Sequence, residues 1–545
     1  MIRRVLDALL REGYLGSGVP VRLPELDDEQ WLDVGGRYLP VEPGGFLADW
    51  MVRRPGVAVR SGGLRLLDGL DDVLAVFTPP NDADPDERIG YAVFADECRE
   101  AAQAIELGER HRPAVLARLD ARYGPAPSGI PGSLFYESLA AHLDHPVYPT
   151  ARCRHGIAGD ELLRYAPEFA PEFELRWAGV PAQVAVRHGH LPAWWPTPAL
   201  LGLPARFVPF PVHPLTWQAV ELPGAVLADA TMLRATPTLS MRTVALVDHP
   251  GVHVKLPLPT SMLGARNRRS IQPGTLADGE VVQRLLGRVL RGEPSFAGRI
   301  LLADETTWGQ AGHEHLGYLV RRFPSGLEGA RVVTVAALLA GAPDRRPVIA
   351  GLADDFFGGD LLALLGDYLR LLFRLHVTLW LRYGIALESH QQNTSLVLER
   401  GQPIRLLFKD NDGARIDPAL LGHVPPVVDR RMIVDGPGEL CDVFTTITVH
   451  LCAGALAFGL AEQDVAPLGE LLALVRRRMS EAVDELAAEP DAPLLRERVL
   501  EAERLPVKSM IIAGTLRSKA RTGATDINKY YGTTAPNYLQ VEDLS

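Results

Sequence analysis

Residues 384–393 read GIALESHQQN and place a cluster of polar side chains directly after an apolar segment. Two short β-type runs follow, TSLVL and PIRLLF, with ERGQ between them, which predicts a hairpin. Residues equidistant from the turn of an antiparallel hairpin lie opposite each other, so we expect Asn393 to meet Asp410 at its open end. Glu388 and His390 lead into that end and point the same way in an extended chain. The segment is therefore either a chemical site or a polar turn between strands.

Oxygen atoms dominate this cluster. Glu388, Asn393 and Asp410 would supply oxygen ligands of the kind that Mg²⁺ takes from proteins, where it binds few side chains and completes its shell with phosphates. An Asn, a hairpin and then a metal-binding Asp is also the layout of protein kinases. The competing interpretation is structural, because DNDG, which begins at Asp410, is a plain turn sequence.

Positive charge collects in the middle of the chain, although the net charge of the whole protein is −11. TPTLSMRTV, at residues 236–244, would place Ser240 and Arg242 on one face if it forms a strand. HVKLPLPTSMLGARNRRSIQPGT, at residues 253–275, carries Lys255, Thr260, Ser261, Arg266, Arg268 and Arg269. Arginine matches the geometry of carboxylates and phosphates, so this density indicates an anionic substrate. A solvated loop with ordinary arginines is the alternative.

Each of the other basic stretches is, by itself, only a weak indication of an anion-binding site. HLDHPVYPTARCRHGI, at residues 142–157, holds His145 between Pro-fixed turns and continues to Arg152 and Arg154. Two shorter groups are Arg321 with Arg322 and Lys508 with Arg517. The sequence contains neither of the glycine-rich phosphate-loop motifs nor a G-x-S-x-G nucleophile elbow. A phosphate site in this chain must therefore be built from such separate basic stretches.

Elements that position these residues are predicted from periodicity. Helical patterns and Pro/Gly-rich loops alternate near the N-terminus, and short β-type runs occupy residues 170–260. Residues 360–383 are apolar nearly all round, which predicts a buried helix capped by Gly384. Residues 470–489 have the pattern of an amphipathic helix. The fold class expected is mixed α/β (α+β), with a helical start, a sheet-rich middle and a helical last third containing a small sheet.

The overall composition argues against several classes of protein. The chain has 545 residues, which exceeds one ordinary core, and 47% of them are hydrophobic. We find no run of about eighteen apolar residues and no signal-peptide pattern, so no membrane span and a cytoplasmic protein are expected. The four cysteines are scattered without a C-x-x-C pair, which argues against a disulfide framework or zinc knuckle. The acidic net charge argues against nucleic acid as a partner.

Taken in order, these stretches resemble the aerobactin-synthetase-like family of NRPS-independent siderophore (NIS) synthetases. The family pattern H-P-x-H-P-x-x-K-x-R-x-G, with Y-x-P-E-F after it, reads HPVYPTARCRHG and YAPEF here. The later motifs read HPLTWQ, PTLSMRT, KLPLPTSMLGARNRRS, GIALESHQQN and FKDNDG, so the resemblance runs from about residue 137 to about 520. Three positions depart from the pattern: Tyr148 replaces a His, Arg152 replaces a Lys and Gln391 replaces a Gly.

The resemblance implies a three-part cradle with a kinase-like helical palm containing a small sheet. Its parts would be a helical thumb at residues 1–165, sheet-rich fingers at 166–335 and the palm at 336–545. It also implies ATP-dependent ligation, in which a carboxylate of citrate or a related polycarboxylic acid attacks the α-phosphorus of ATP. An acyl-adenylate and pyrophosphate form, and an amine or alcohol then displaces AMP.

Residue roles follow from the same resemblance. Ser240, Lys255 and Arg269 would stabilise charge at the α-phosphate. Carboxylate binding would fall to Arg242, Thr260, Arg268 and His390, and His390 would also take a proton from the nucleophile. ATP would further contact His145, Arg152, Arg154, Asn393 and Asp410, and Mg²⁺ would bind Glu388, Asn393 and Asp410. Arg266, Arg268 and Arg269 compete for the role of essential arginine, with Arg269 favoured.

Two other functions stay open from the sequence. One is a kinase-like phosphotransferase that releases ADP, and the other is a non-catalytic siderophore-binding accessory protein. No motif identifies the nucleophile, and the acyl donor is citrate, a citrate monoamide, succinate or 2-oxoglutarate. We expect a homodimer, which is the commonest assembly.

Overall fold

A computed structural model describes residues 1–410, 413–524, 526 and 529–540. Asn411 and Asp412 of the predicted DNDG turn lie outside the described residues. Over the described part, helices and strands alternate along the chain, and the strands form three larger sheets and two small ones. The mixed α/β class expected from the sequence is confirmed.

The first 165 residues contain a sheet that the sequence analysis did not predict. Their elements are α1 (Ile2–Arg11), β1 (Val19–Leu23), β2 (Asp27–Asp33), β3 (Arg37–Pro43), β4 (Trp50–Val52), β5 (Val57–Arg60), β6 (Leu64–Leu67), α2 (Leu70–Val76), α3 (Pro85–Tyr123), α4 (Gly129–Ala140) and α5 (Asp160–Tyr165). Strands β1 to β6 form one antiparallel sheet, so the helical start expected from the sequence also contains a sheet. The strands are short and largely polar on their exposed face, as DDEQWLD in β2 illustrates, and this hides their alternation.

Residues 166–335 are rich in strands, as their composition predicts. They contain β7 (Phe173–Pro181), β8 (Val186–His188), β9 (Phe207–Val212), β10 (Val226–Leu227), β11 (Met232–Pro237), β12 (Thr243–Leu246), β13 (His249–Lys255), α6 (Thr275–Gly292), β14 (Ile300–Leu302), β15 (Asp304–His313), β16 (Leu316–Arg322) and β17 (Arg331–Thr334). Nine of the described strands form one sheet, in which β13 lies between β12 and β16. His253 of β13 pairs with Arg321 of β16, so Lys255, two residues on, lies on the same face as Arg321.

The remaining elements are mainly helical. They are α7 (Val348–Phe357), α8 (Leu361–Tyr383), β18 (Ile385–Ala386), β19 (Thr394–Leu398), β20 (Arg405–Phe408), β21 (Arg415–Ile416), α9 (Pro418–Leu421), α10 (Pro437–Val443), α11 (Ala455–Glu462), α12 (Leu468–Asp484), α13 (Ala492–Leu495), β22 (Arg504–Val507), α14 (Lys519–Thr522) and β23 (Thr533–Pro536). Strands β14, β20, β19 and β17 form a four-stranded sheet in that order. Because β14 and β17 precede residue 335, a boundary at that residue would cut through the sheet.

The helix before the polar cluster is the buried helix that the sequence predicts. Most residues of α8 are buried, and Gly384 ends it with a φ of 62°. A Cβ atom at Gly384 would lie 2.8 Å from the Asp417 carbonyl oxygen, so both the backbone angle and the space require glycine. The chain therefore leaves α8 in a fixed direction, towards the hairpin.

Among the described residues, one segment is long and apolar enough, by length and composition alone, to cross a membrane. It spans Pro437–Glu462, and residues 444–454 within it are π-helical. Within its most apolar window, 89% of the residues are buried inside the protein. It is therefore a core helix of this fold.

Candidate active site

Strands β19 and β20 form the predicted hairpin, with a register that differs by one residue from the expected one. The ladder is centred on Gly401, so Asn393 lies opposite Lys409, whose backbone N–H donates to the Asn393 carbonyl oxygen at 3.1 Å. The predicted pairing of Asn393 with Asp410 is therefore wrong. A one-residue shift sends neighbouring side chains to opposite faces. Lys409 accordingly reaches Glu137 of α4, at 2.6 Å, while Asp410 leaves the strand with a φ of 64°.

Asp410 is held by two cations from the neighbouring sheet. Lys255 Nζ lies 2.5 Å from its Oδ1, and Arg321 Nη2 lies 3.8 Å from the same atom. Glu305 pairs with Arg321 Nε at 2.5 Å and accepts the Asp410 backbone N–H at 2.8 Å. Burial raises the pKa of Asp410, but the charges of Lys255, Arg321 and Arg242 outweigh it and lower the pKa well below its ordinary value. Asp410 is therefore an ionised carboxylate in a fixed position.

Arg321 and Glu305 were not among the predicted site residues. The only signal for Arg321 was its place in a short basic stretch, and the sequence carries no signal for Glu305. Both side chains are almost fully buried. Their partnership is set by the pairing of β15 with β16, in which Asp304 lies opposite Arg322, and this pairing is a tertiary feature.

Glu388 sits in a second group of opposite charges. Lys529 Nζ lies 2.9 Å from Oε2 of Glu388, and Lys508 Nζ lies 3.6 Å from Oε1. Burial raises the pKa of Glu388, but Lys529 and Lys508 lower it to about 2. A Cβ atom at Gly413 would lie 2.5 Å from Oε2 of Glu388, so glycine there leaves room for the carboxylate. Lys529 comes from the C-terminal tail and was not predicted.

Two histidines lie beside these carboxylates. His390 Nε2 is 3.4 Å from Asn393 Nδ2, and its Nδ1 accepts the backbone N–H of Gln392 at 3.3 Å. Burial lowers the pKa of His390, with an opposing contribution from Glu388. Burial is the main cause that lowers the pKa of His145 to about 3, and His390 acts in the same direction. Both rings are therefore neutral at neutral pH.

The structure separates the three competing arginines. Arg268 is 60% exposed and pairs with Glu314 at 2.7 Å, on the outside of the protein. Arg266 donates to the carbonyl oxygen of Thr515 at 2.9 Å. Arg268 is thus not brought to the cluster, because successive residues of the extended chain point to opposite sides and Arg269 takes the inner one. The prediction that Arg268 binds a substrate carboxylate is not supported by this placement.

Arg269 faces the carboxylates. Burial and then the neighbouring Arg242 lower its pKa to about 9, while Asp410 and Glu388 act in the opposite direction. Its Nη2 donates to the Met262 carbonyl oxygen at 3.1 Å. Among the described residues its buried Nε has no hydrogen-bond partner. A donor of this kind is available to an anionic ligand.

Ser240 and Arg242 lie in a tight turn between β11 and β12, so the condition under which they would share one face of a strand is not met. Ser240 Oγ accepts the Thr243 backbone N–H at 3.1 Å, and Met241 has a φ of 62°. Glu137 accepts the Leu239 backbone N–H at 2.8 Å. Because Glu137 also binds Lys409, one buried carboxylate ties this turn to the hairpin.

Three predicted residues have other partners. Arg154 makes a buried two-pronged ion pair with Glu168, with both N–O distances 2.7 Å. Arg152 is also buried, with its Nε 3.6 Å from Asp144. Thr260 donates its hydroxyl proton to the His155 carbonyl oxygen at 2.8 Å and so has none for a carboxylate in this arrangement. These side chains hold the 150–157 segment in place and are not part of the cluster.

The donor set fits a magnesium ion. Glu388 and Asp410 are ionised, Asn393 adds an amide oxygen, and hard oxygen ligands of this kind suit Mg²⁺. Both carboxylates are neutralised by lysine side chains in this structure, and a divalent cation would take over that role. Lys255, Arg242 and Arg321 act electrostatically on Asp410, and Arg269 interacts with both Asp410 and Glu388. The arrangement can hold a polyphosphate and a carboxylate side by side.

Comparison with known families matches two parts of the chain. Residues 133–340 match the model of the IucA / IucC family. Residues 363–524 match a model described as ferric iron reductase FhuF-like transporter. The first match contains the turn at Ser240 and the strand that carries Lys255, and the second contains the hairpin.

Several curated proteins are related over part of their length. An uncharacterized protein y4xN of Sinorhizobium fredii (strain NBRC 101917 / NGR234) is 30% identical over 57% of this chain and 58% of its own. Staphyloferrin B synthase of Staphylococcus aureus (strain NCTC 8325 / PS 47) is 24% identical over 75% of this chain and 76% of its own. A citryl-spermidine/3,4-dihydroxybenzoyl-citryl-spermidine:spermidine ligase of Bacillus anthracis is 23% identical over 50% of this chain and 51% of its own.

Solved structures share the fold over nearly the whole chain. ATP-bound aerobactin synthetase IucA of Klebsiella pneumoniae has a TM-score of 0.75 at 17% identity and covers 99% of both chains. Petrobactin biosynthesis protein AsbB of Bacillus anthracis has a TM-score of 0.74 at 16% identity, covering 98% of this chain and 94% of its own.

Proposed function

This chain belongs to the IucA / IucC family, and we propose that it is an NIS synthetase, an ATP-dependent acid–amine or acid–alcohol ligase of siderophore biosynthesis. It adenylates a carboxylate of citrate or a related polycarboxylic acid, condenses it with an amine or alcohol, and releases AMP and pyrophosphate. The observation that carries the proposal is the cluster around Asp410. Lys255 pairs with Asp410, and Arg269 interacts with Asp410 and Glu388, although these cations lie more than 100 residues before the carboxylates in the chain.

The proposed architecture is a cradle with a kinase-like palm. The thumb would take residues 1–165, the fingers 166–335 and the palm 336–545, with β14 and β17 contributed to the palm sheet from the fingers. The hairpin, with Asp410 just after its second strand, supports this layout. We propose a homodimer in the cytoplasm with small-molecule substrates and neither nucleic acid nor membrane as a partner.

The first step is attack of a substrate carboxylate on the α-phosphorus of ATP. Arg242, beside Arg269, would hold the carboxylate, and Ser240 would lie at the phosphate. Negative charge grows on the α-phosphate as pyrophosphate leaves, and Lys255 and Arg269 would stabilise it as preorganised cations. Fixing the two reactants in line supplies much of the rate enhancement.

Magnesium, when bound, would neutralise phosphate charge and orient the leaving pyrophosphate. Glu388, Asn393 and Asp410 would hold it. Asp410 suits this role because Glu305 fixes its backbone N–H and Lys255 keeps it ionised. His145 would contact the phosphates from the N-terminal side. Arg152 and Arg154, paired with Asp144 and Glu168, would support that segment from behind.

The second step joins the activated acyl group to the nucleophile. An amine or alcohol must lose a proton as it attacks, and a neutral imidazole can accept it. Burial keeps the pKa of His390 below its ordinary value, so this side chain is available as a base at neutral pH. The carbonyl carbon then bonds to the nitrogen or oxygen, and the bond to AMP breaks.

One incubation tests the proposal. The protein is mixed with ATP, Mg²⁺, hydroxylamine as surrogate nucleophile, and in turn citrate, a citrate monoamide, succinate or 2-oxoglutarate. AMP and pyrophosphate that appear only with a carboxylate support the ligase. Release of ADP would replace it with a kinase-like phosphotransferase. Absence of turnover together with tight binding of a ferric complex would favour an accessory protein.

A further inference from the structure

A second group of chemically capable side chains lies between α3 and the 150–157 segment, apart from the site described above. Glu100 on α3 faces Cys153 and His155 on the segment, and one ligand atom of each lies within 4.8 Å of the others. Among the described residues this is the one trio of histidine, cysteine, aspartate or glutamate side chains that meets this distance. The three residues offer oxygen, sulfur and nitrogen.

The contacts within the group already have the pattern of a metal site. Cys153 Sγ lies 3.1 Å from Oε2 of Glu100. His155 Nε2 lies 3.1 Å from Oε1 of Glu97, one turn earlier on the same helix. A metal-binding histidine commonly gives its second ring N–H to a carboxylate, which fixes the ring and leaves the other nitrogen for the ion. Glu97 is in position to do this for His155 and leaves Nδ1 with its lone pair.

The position of the group in the sequence is informative. In the family pattern H-P-x-H-P-x-x-K-x-R-x-G, Cys153 and His155 occupy two of the unspecified positions. The roles derived for the ligase use neither side chain. Arg154 lies between them and points away to Glu168, whereas Cys153 and His155 both contact glutamates of α3. The spacing Cys-x-His therefore presents both ligands to α3.

Access and geometry also suit an ion. Glu100 is exposed, His155 is 26% exposed and Cys153 is buried, so the group is open to solvent on one side. A cavity of about 270 Å³ adjoins it, lined by residues that include Glu100 and Arg152. Ligand atoms around a tetrahedral zinc ion lie about 3.3–3.8 Å apart, as its bond lengths of about 2.0–2.3 Å require. The three ligand atoms lie within 4.8 Å of one another, so a small adjustment brings them to this spacing.

We propose that Glu100, Cys153 and His155 bind a divalent transition-metal ion of the zinc class, with Glu97 orienting His155. Thiolate, imidazole and carboxylate together favour such an ion over Mg²⁺ or Ca²⁺. On binding, the Cys153 thiol loses its proton to solvent, and water completes the fourth position. The site clamps the segment to α3.

This clamp would connect to the loop that carries Arg269, between β13 and α6. His155 donates its backbone N–H to the Ser261 carbonyl oxygen at 3.2 Å and accepts the Thr260 hydroxyl at 2.8 Å. Thr260 in turn accepts the Arg269 backbone N–H at 2.8 Å. A bound metal would therefore help to fix the position of Arg269 through these hydrogen bonds, without any contact between the ion and substrate.

Metal titration of the full-length protein tests the proposal without reference to ligase activity. The protein is stripped with a chelator, and Zn²⁺ is titrated against a chromophoric competitor in excess Mg²⁺, which competes at the oxygen ligands around Asp410. We expect one equivalent of tight Zn²⁺. Cys153→Ser and His155→Gln should each weaken its binding by more than about 100-fold, the upper end of the loss caused by removing an outer partner of a metal ligand.

Matched variants keep the result interpretable. Cys153→Ser retains a hydroxyl that can donate to Glu100, so the fold should survive. His188→Gln is the control. His188 forms a comparable pair with Glu280 at 2.9 Å but does not belong to the proposed metal-binding trio. His188→Gln should leave Zn²⁺ binding unchanged.

Cobalt provides a spectroscopic readout. Co²⁺ in the wild-type protein should give a sulfur-to-metal charge-transfer band that Cys153→Ser abolishes. Zn²⁺ should raise the Tm of the wild-type protein and of His188→Gln, but not that of the two ligand variants. Failure to bind one equivalent, or binding that both ligand variants retain, would overturn the proposal and leave two ordinary hydrogen-bonded pairs.

Discussion

Replacement of Arg269 by alanine separates the inner arginine from its exposed neighbour. Arg269 is half-buried and interacts with Asp410 and Glu388, whereas Arg268 pairs with Glu314 at the surface. Loss of one preorganised charge at the reacting centre costs about 2.7–4 kcal/mol, or about 10²–10³ in kcat. An exposed ion pair is worth about 0–1 kcal/mol. We expect Arg269→Ala to lose at least about 10²-fold, and Arg268→Ala to stay near the wild-type rate.

The assay is carboxylate-dependent release of pyrophosphate and AMP, with hydroxylamine as acceptor. Arg269→Lys is a useful third variant, since it keeps the positive charge and loses the planar guanidinium with its paired donors. Arg269 also donates to the Met262 carbonyl oxygen, a hydrogen bond worth about 1 kcal/mol, so thermal unfolding of each variant must accompany the rates. Equal losses in Arg268→Ala and Arg269→Ala, or a wild-type rate in Arg269→Ala, would refute the assignment.

Three further predictions concern the same cluster. His390→Ala should reduce carboxylate-dependent AMP formation by at least about 10²-fold, as loss of an acid–base group does, and a rate within a few-fold of wild type would exclude this role. Glu305→Gln removes the nearer of the two carboxylates beside the buried Arg321 and should lower the free energy of unfolding in urea by about 3–5 kcal/mol; an unchanged midpoint would contradict the ion pair. Glu388 has a folded-state pKa of about 2 against an ordinary 4.5, so it contributes stability above pH 4.5 that is lost as the pH falls towards 2. Glu388→Gln should therefore remove about 3 kcal/mol of stability at neutral pH. It should also weaken the dependence of the free energy of unfolding on pH between about 2 and 4.5, as measured by denaturation at a series of pH values.

Local elements were predictable because their signals are local. The buried helix at residues 361–383, its glycine cap and the hairpin after it follow from patterns within a few tens of residues. The N-terminal sheet was missed because its strands are short and polar on one face. The hairpin register was missed by one residue, since the hydrophobic pattern fits a turn centred on Gly401 as well as one centred beside it.

The sequence by itself determined the order of the motifs, the mixed fold class and the resemblance to a family, because these depend on residue types and spacing along the chain. Tertiary structure decided which charges meet. Arg269 and not Arg268 faces Asp410, Glu305 fixes Asp410 through its backbone, and Lys529 arrives from the tail to pair with Glu388. Such partners lie about 100 or more residues apart, and no periodicity in the sequence records which of several buried cations a carboxylate will find. Only the packing of the sheets against the hairpin brings them within reach, and burial then makes each pairing obligatory.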